Sequence, residues 1–155
     1  MNPLKVRLVT LKPLRMACTS AYGTSPEIEA WQQMERFIAQ TDLLEDSQSQ
    51  RYFGHNIPDT TSDDSSYGYR VCVTCEGAIH PLNEVQITEF QGGYYAVTQC
   101  KGIENVYTTW KALDDWVKEN KYRRADHQWF EEAFSRPGET PLEDIILDLH
   151  LPIQE

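Results

Sequence analysis

Two carboxylates, Glu131 and Asp148, lie in segments whose alternation of residue types is typical of β-strands. In residues 145–151 the leucines at every second position share one side of the strand, so Asp148 points to the other side. In residues 128–134 we place Phe130 on the core side, which puts Glu131 on the same side as Asp148. The sequence therefore predicts two acidic side chains on one face of a sheet.

A carboxylate among aromatic rings is suited to bind a lipophilic cation, because each ring adds about 0.5–2 kcal/mol of cation–π attraction and the carboxylate pairs with the charge. Glu131 is the predicted central counter-charge and Asp148 the secondary one. The same two residues would also suit an acid/base pair for hydrolysis, or two solvated residues of an exposed sheet face. The candidate aromatic walls are Trp129, Tyr95, Trp110, Tyr69, Phe53 and Tyr107.

The cysteines do not form a metal-binding pattern. Cys72 and Cys75 are separated by a strand-like Val-Thr spacer where a zinc knuckle needs a turn, and no second pair of this spacing exists, so we expect no metal at these residues and His80. The Gly92-Gly93 pair does not open a helix, as a phosphate-binding loop would. We therefore expect no cofactor, and we expect the cysteines to be reduced thiols.

The chain has 155 residues, 24 of them acidic and 14 basic, for a formal net charge of −10. This length is typical of one domain. The acidic balance argues against direct nucleic-acid binding, which depends on clustered lysine and arginine. The sequence also lacks an apolar run long enough to span a membrane and a secretory h-region, so we expect a cytoplasmic protein with no membrane partner.

The chain reads as a duplication. At a shift of 79 residues, positions 6–41 align with positions 85–120 without a gap, with five identical pairs among 36. Unrelated segments would share about two. The two repeats run over residues 4–77 and 84–153 of a single domain.

Each repeat predicts strand, strand, helix, strand, strand. Lys12-Pro13 and Gln91-Gly92-Gly93 are typical of turns that would join the first two strands of each repeat into hairpins. The predicted fold is α+β: a curved, mainly antiparallel sheet with both helices on one face and a central ligand groove.

The motifs resemble those of the GyrI-like small-molecule-binding family, also known as the effector-binding domain of AraC-type and MerR-type multidrug regulators. Residues 92–97 (GGYYAV) are similar to its "GGxYA" motif, and residues 107–118 to its helix. Phe130-Glu131 is similar to its "FE" motif, and residues 147–153 to its closing strand. Asp148 stands where the family usually has Glu, and Tyr69-Arg70-Val71 stands where it has "RYD".

The resemblance implies a stand-alone pair of SHS2-like repeats that binds lipophilic, cationic small molecules, with the acidic residue at Glu131. It also implies two alternatives, a hydrolase of reactive cytotoxic molecules that uses the same glutamate and a gyrase-directed protein inhibitor. The corresponding partners are a cationic small molecule, a protein such as a regulator or gyrase, or a second copy of the chain.

Overall fold

The computed structural model describes residues 4–40, 50–58, 66–75, 85–134 and 140–155. Within them, the order strand, strand, helix, strand, strand occurs twice, which confirms the predicted α+β class. The first five elements are β1 (Arg7–Leu11), β2 (Leu14–Gly23), α1 (Glu27–Ala39), β3 (Tyr52–Pro58) and β4 (Tyr67–Thr74). The second five are β5 (Gln86–Phe90), β6 (Gly93–Lys101), α2 (Val106–Glu119), β7 (Phe130–Ala133) and β8 (Ile146–Pro152).

The chain forms two compact units, each described here by itself. Unit 1 comprises Met1–Pro13 and Gln91–Glu155, and unit 2 comprises Leu14–Phe90. Unit 1 contains antiparallel strands in the order β1-β6-β8-β7 together with α2. Unit 2 contains antiparallel strands in the order β3-β4-β2-β5 together with α1.

The first strand of each repeat pairs with the second strand of the other repeat, whereas the turn residues predict pairing within a repeat. β1 pairs with β6, and β5 pairs with β2, so the hairpin predictions at Lys12-Pro13 and at residues 91–93 were wrong. Gly92 has a φ of 78°, and a Cβ there would lie 2.2 Å from the carbonyl oxygen of Leu11. The glycine is therefore required where the chain passes close to the end of β1.

The core of unit 1 lies between α2 and one face of its sheet. Leu113 and Val117 of α2 are fully buried and belong to one apolar cluster with Leu147, Leu149 and Leu151 of β8. The 3.6-residue period of the helix and the two-residue period of the strand bring these residues together. The prediction that these leucines form the core face of the last strand is confirmed.

In unit 2, α1 packs on the face of the sheet that carries Thr19 and Tyr52. The Thr19 hydroxyl donates a hydrogen bond to the Gln33 side chain of α1 at 2.7 Å, and the Trp31 ring of α1 lies 6.0 Å from the Tyr52 ring.

None of the helices among the described residues is long and apolar enough to cross a membrane.

We predict that Gly92→Ala lowers the free energy of unfolding by about 2–4 kcal/mol, because it adds a positive-φ penalty to an overlap with the Leu11 carbonyl. Gly23→Ala is the control, because Gly23 also has a positive φ but a Cβ there meets no atom within 4 Å. Urea unfolding midpoints measure both effects. Equal losses would show that the close approach to Leu11 does not matter.

Candidate functional site

The face of the unit 1 sheet that points away from α2 carries the candidate site. In the pairing of β7 with β8, Glu132 lies opposite Asp148 and Phe130 lies opposite His150. Since paired residues on neighbouring strands share a face, these four side chains lie together on the side opposite Leu147 and Leu149. We call this surface the helix-free face of unit 1, and Tyr95 of β6 also belongs to it.

The register corrects the predicted orientation of β7 by one residue. Glu131 pairs with Leu149, so Glu131 lies on the α2 side, and the prediction that it shares a face with Asp148 was wrong. The acidic residue on the helix-free face is Glu132. The prediction failed because Phe130 was taken to mark the core side, whereas both faces of this sheet carry buried residues, including Phe130 and His150 at 2% exposure.

Aromatic rings form a cluster on the helix-free face. The Phe130 and His150 rings have centroids 5.0 Å apart, and Tyr95 lies 5.2 Å from Phe130 and 5.6 Å from His150. The Tyr95 hydroxyl donates a hydrogen bond to the backbone carbonyl of Gln128 at 2.7 Å. Burial raises the pKa of Tyr95 to about 12, so its phenol is neutral at physiological pH.

Both carboxylates of this face are buried, Glu132 at 6% exposure and Asp148 at 7%. Asp148 Oδ2 accepts a hydrogen bond from Arg7 Nη2 at 2.5 Å. Its other oxygen, Oδ1, is buried and has no hydrogen-bond partner in the described part of the chain. Glu132 Oε1 lies 4.0 Å from His150 Nε2. The face thus offers two closely placed carboxylates and an imidazole, a set able to bind a cation or to exchange a proton.

Three of the expected aromatic walls in unit 1 lie on the α2 side of its sheet. The Trp110 and Trp129 rings are 5.3 Å apart and nearly perpendicular, at 78°. Together with Tyr107 they line a pocket of about 330 Å³. The structure therefore brings Trp110, Trp129 and Tyr107 together but separates them from Asp148 and Tyr95.

The two expected residues in unit 2 lie on opposite faces of its sheet. Phe53 pairs with Cys72 on the face away from α1, and the Arg51 guanidinium lies 5.1 Å from the centre of its ring. Tyr69 lies on the α1 side, because it pairs with Ala21, two residues along β2 from Thr19. Its hydroxyl covers Gly54, where a Cβ would come within 2.1 Å of the oxygen.

All four cysteines are buried thiols. Cys18 and Cys72 lie directly opposite each other on β2 and β4, and burial raises the pKa of the Cys72 thiol well above its usual value. Among the described residues no group of three or more His, Cys, Asp or Glu could hold a metal ion, and His80 lies outside them.

Glu132 and Arg7 are site residues that the sequence did not predict. The adjacent glutamates of Phe130-Glu131-Glu132 offered a signal, because in any strand one of the two must face each side. Nothing in the local sequence connects Arg7 with Asp148, since they are 141 residues apart.

Residues 4–154 match the model of the GyrI-like small-molecule-binding domain. The chain belongs to this family. No curated protein matches the sequence of this chain.

Solved structures similar to this GyrI-like chain cover nearly all of it. A hydrolase from Listeria innocua has a TM-score of 0.72 at 9% identity, with 99% of this chain and 94% of that one covered. The EcmrR C-terminal domain has a TM-score of 0.70 at 11% identity, with 98% of each chain covered. SAV2435 bound to tetraphenylphosphonium has a TM-score of 0.57 at 15% identity, with 97% and 94% covered. At these identities the likeness shows a shared fold.

We predict that Arg7→Gln lowers the free energy of unfolding of this GyrI-like domain by about 1–2 kcal/mol. The value lies between those of exposed and buried ion pairs, because Asp148 is buried while the Arg7 side chain is 62% exposed. In a double-mutant cycle, Asp148→Asn should recover most of the loss. Lys101→Gln is the control, because Lys101 and its partner Asp144 are both more than half exposed. An Arg7→Gln effect no larger than the control would contradict the prediction.

The stability of the fold should depend on pH through Tyr95. Its folded pKa of about 12 exceeds the ordinary value of 10, so the stability linked to the neutral phenol is complete below pH 10 and falls between about pH 10 and 12, as the unfolded chain ionises first. Tyr95→Phe should cost about 1 kcal/mol at pH 7 through its lost hydrogen bond but flatten the alkaline decline. Denaturant unfolding at pH 7, 9, 10 and 11 measures this, and parallel curves for the two proteins would refute it.

Proposed function

We propose that this GyrI-like domain binds lipophilic, cationic small molecules at the helix-free face of unit 1. The observation that carries the proposal is the pair of buried carboxylates, Glu132 and Asp148, directly opposite each other on neighbouring strands. The cluster of Tyr95, Phe130 and His150 lies on the same face. Two further facts support it: the family binds small molecules, and the structurally similar SAV2435 has been solved with the lipophilic cation tetraphenylphosphonium.

The charges of this face favour a cation. Glu132 and Asp148 bring two buried carboxylates to this face, and the ion pair of Asp148 is with the largely exposed guanidinium of Arg7. Buried like charges on adjacent strands repel each other, and an incoming cation relieves that repulsion. The aromatic rings add cation–π attraction of about 0.5–2 kcal/mol each.

Arg7 acts in this proposal as an internal competitor for the ligand. Its guanidinium binds Asp148, yet most of its side chain is exposed to solvent. The side chain can therefore leave the carboxylate at small packing cost and remain hydrated. A ligand cation would take its place beside Asp148.

The proposal keeps part of the expected site and moves its centre. Asp148 and Tyr95 are retained, whereas Phe53 belongs to unit 2 and takes no part in the proposed site. The role expected of Glu131 passes to Glu132. The proposal does not use the residues on the helix-bearing faces, which are Glu131, Trp129, Trp110, Tyr107 and Tyr69.

The test is calorimetric titration with tetraphenylphosphonium and with the neutral triphenylphosphine oxide. We expect Glu132→Gln and Asp148→Asn each to weaken phosphonium binding about tenfold or more, which is ~1.4 kcal/mol, and to leave the neutral compound unaffected. Glu131→Gln is a matched control, since it removes the same charge from the neighbouring position on the opposite face. Loss of binding in Glu131→Gln alone, or equal binding by every variant, would overturn the proposal.

Hydrolysis is a second candidate, favoured by the 4.0 Å distance between Glu132 Oε1 and His150 Nε2. Solved structures described as Listeria innocua hydrolases share the fold. Glu132 would accept a proton from water as the water oxygen attacks an epoxide carbon. The carbon–oxygen bond of the epoxide breaks, and the alkoxide takes a proton from His150 or solvent.

Turnover of styrene oxide that Glu132→Gln abolishes would support this candidate, and the absence of turnover would reject it for epoxides. The gyrase-directed inhibitor stays a prediction.

A further inference from the structure

The pocket on the α2 side of unit 1 is separate from the helix-free face. Leu151 lies at its base and belongs to the apolar cluster beneath α2, whereas the neighbouring His150 points to the opposite side of the sheet. The volume of about 330 Å³ is within the range of small-molecule sites. The other lining residues are Tyr107, Trp110, Lys111, Asp114, Arg124 and Trp129.

One side of the pocket is a stripe of α2. Tyr107, Trp110, Lys111 and Asp114 occupy positions i, i+3, i+4 and i+7, which lie on one face of a helix. Trp110 is partly buried against the apolar cluster, while Tyr107 is 79% exposed. The stripe therefore runs from the core to the rim and presents aromatic surface along this length.

The opposite side of the pocket belongs to the connection between α2 and β7. This connection is fixed to the end of β8, because Ala125 N donates to Pro152 O at 3.1 Å and Gln154 N donates to Arg123 O at 2.8 Å. These bonds flank Arg124, which forms a β-bridge with Ile153. The backbone that carries Arg124 is thus held in place without a ligand.

The two indoles of the pocket form a corner. Their centroids are 5.3 Å apart and their planes are inclined at 78°, so no ring can insert between Trp110 and Trp129. A planar ring can instead stack on one indole and meet the other edge to face, the two arrangements that aromatic pairs prefer.

The charges of the pocket are positive on balance, in a chain of net charge −10. Asp114 Oδ2 pairs with Lys118 Nζ at 2.9 Å, while Asp114 Oδ1 lies 3.8 Å from Arg124 Nη1 and is buried without a hydrogen-bond partner among the described residues. The Arg124 contact exceeds hydrogen-bond distance, so the guanidinium can still donate to a ligand. Lys111 makes no ion pair with any residue in the described part of the chain.

We propose that this pocket binds a planar aromatic carboxylate, with its ring in the corner of Trp110 and Trp129 and its carboxylate at Arg124 and Lys111. A guanidinium binds a carboxylate through charge-assisted hydrogen bonds, and the nearby ammonium adds attraction. This pocket lies on the other side of the sheet from the proposed cation site and takes a ligand of the opposite charge. Either site can therefore exist without the other.

The test uses 2-naphthoate, its neutral analogue 2-naphthylmethanol and the cationic 2-naphthylmethylammonium. Calorimetry should give a Kd on the order of 1 mM or tighter for the naphthoate and weaker binding for the other two. In ¹H–¹⁵N spectra the indole N–H signals of Trp110 and Trp129 should shift, while those of the two other tryptophans, Trp31 and Trp116, should stay in place.

Substitutions then test the charges. Arg124→Gln should weaken naphthoate binding about tenfold or more, and Lys111→Gln about threefold. Arg123→Gln is the matched control, because it removes the same charge from the adjacent residue, which does not line the pocket. No naphthoate binding, binding as tight for the alcohol or the ammonium compound, or equal losses in Arg123→Gln and Arg124→Gln would each overturn the proposal.

Discussion

Buried side chains lie on both faces of the unit 1 sheet, and this constraint governs the chemistry of the unit. On the α2 side the alternate residues of β8 are leucines that fill an apolar core. On the other side the intervening residues are Asp148 and His150, equally buried but polar. A buried carboxylate needs a counter-charge or a hydrogen-bond donor, and for Asp148 that group is Arg7 of β1. On the polar face Asp148 is therefore held by a guanidinium whose side chain is largely exposed.

The two faces of this one sheet place different charged groups beside their aromatic residues. The helix-free face combines acidic side chains with Tyr95 and Phe130, whereas the α2 side combines Arg124 and Lys111 with a pair of indoles. The two-residue period of β8 keeps them apart, since His150 and Leu151 are neighbours in the chain and face opposite sides. The sheet thus separates two sets of aromatic residues, one beside the carboxylates Glu132 and Asp148 and the other beside Lys111, Asp114 and Arg124.

The sequence predicted the elements well and their partners poorly. Periodicity located the strands and both helices close to their observed positions, because alternation and helical stripes are local patterns. Pairing is not local: the glycines at 92 and 93 are typical of a hairpin, but they serve a connection between strands of different units. In β8 three leucines in alternation identified the core face correctly. In β7 the aromatic residue Phe130 lies on a face that is itself buried but points away from α2, so it did not identify the core face. The expected central groove stays a prediction.

The pairing of β1 with β6 has a consequence for folding during synthesis on the ribosome. The Lys5 carbonyl and the Thr98 hydroxyl that bond across this pair are 93 residues apart. At translation rates of about 5–20 residues per second, β1 waits roughly 5–20 s for its partner. Unit 2 is a continuous segment and can assemble during that interval, whereas unit 1 needs both ends of the chain. Synthesis in this direction thus favours an order of assembly in which residues 14–90 come together first and the segments on either side of them last.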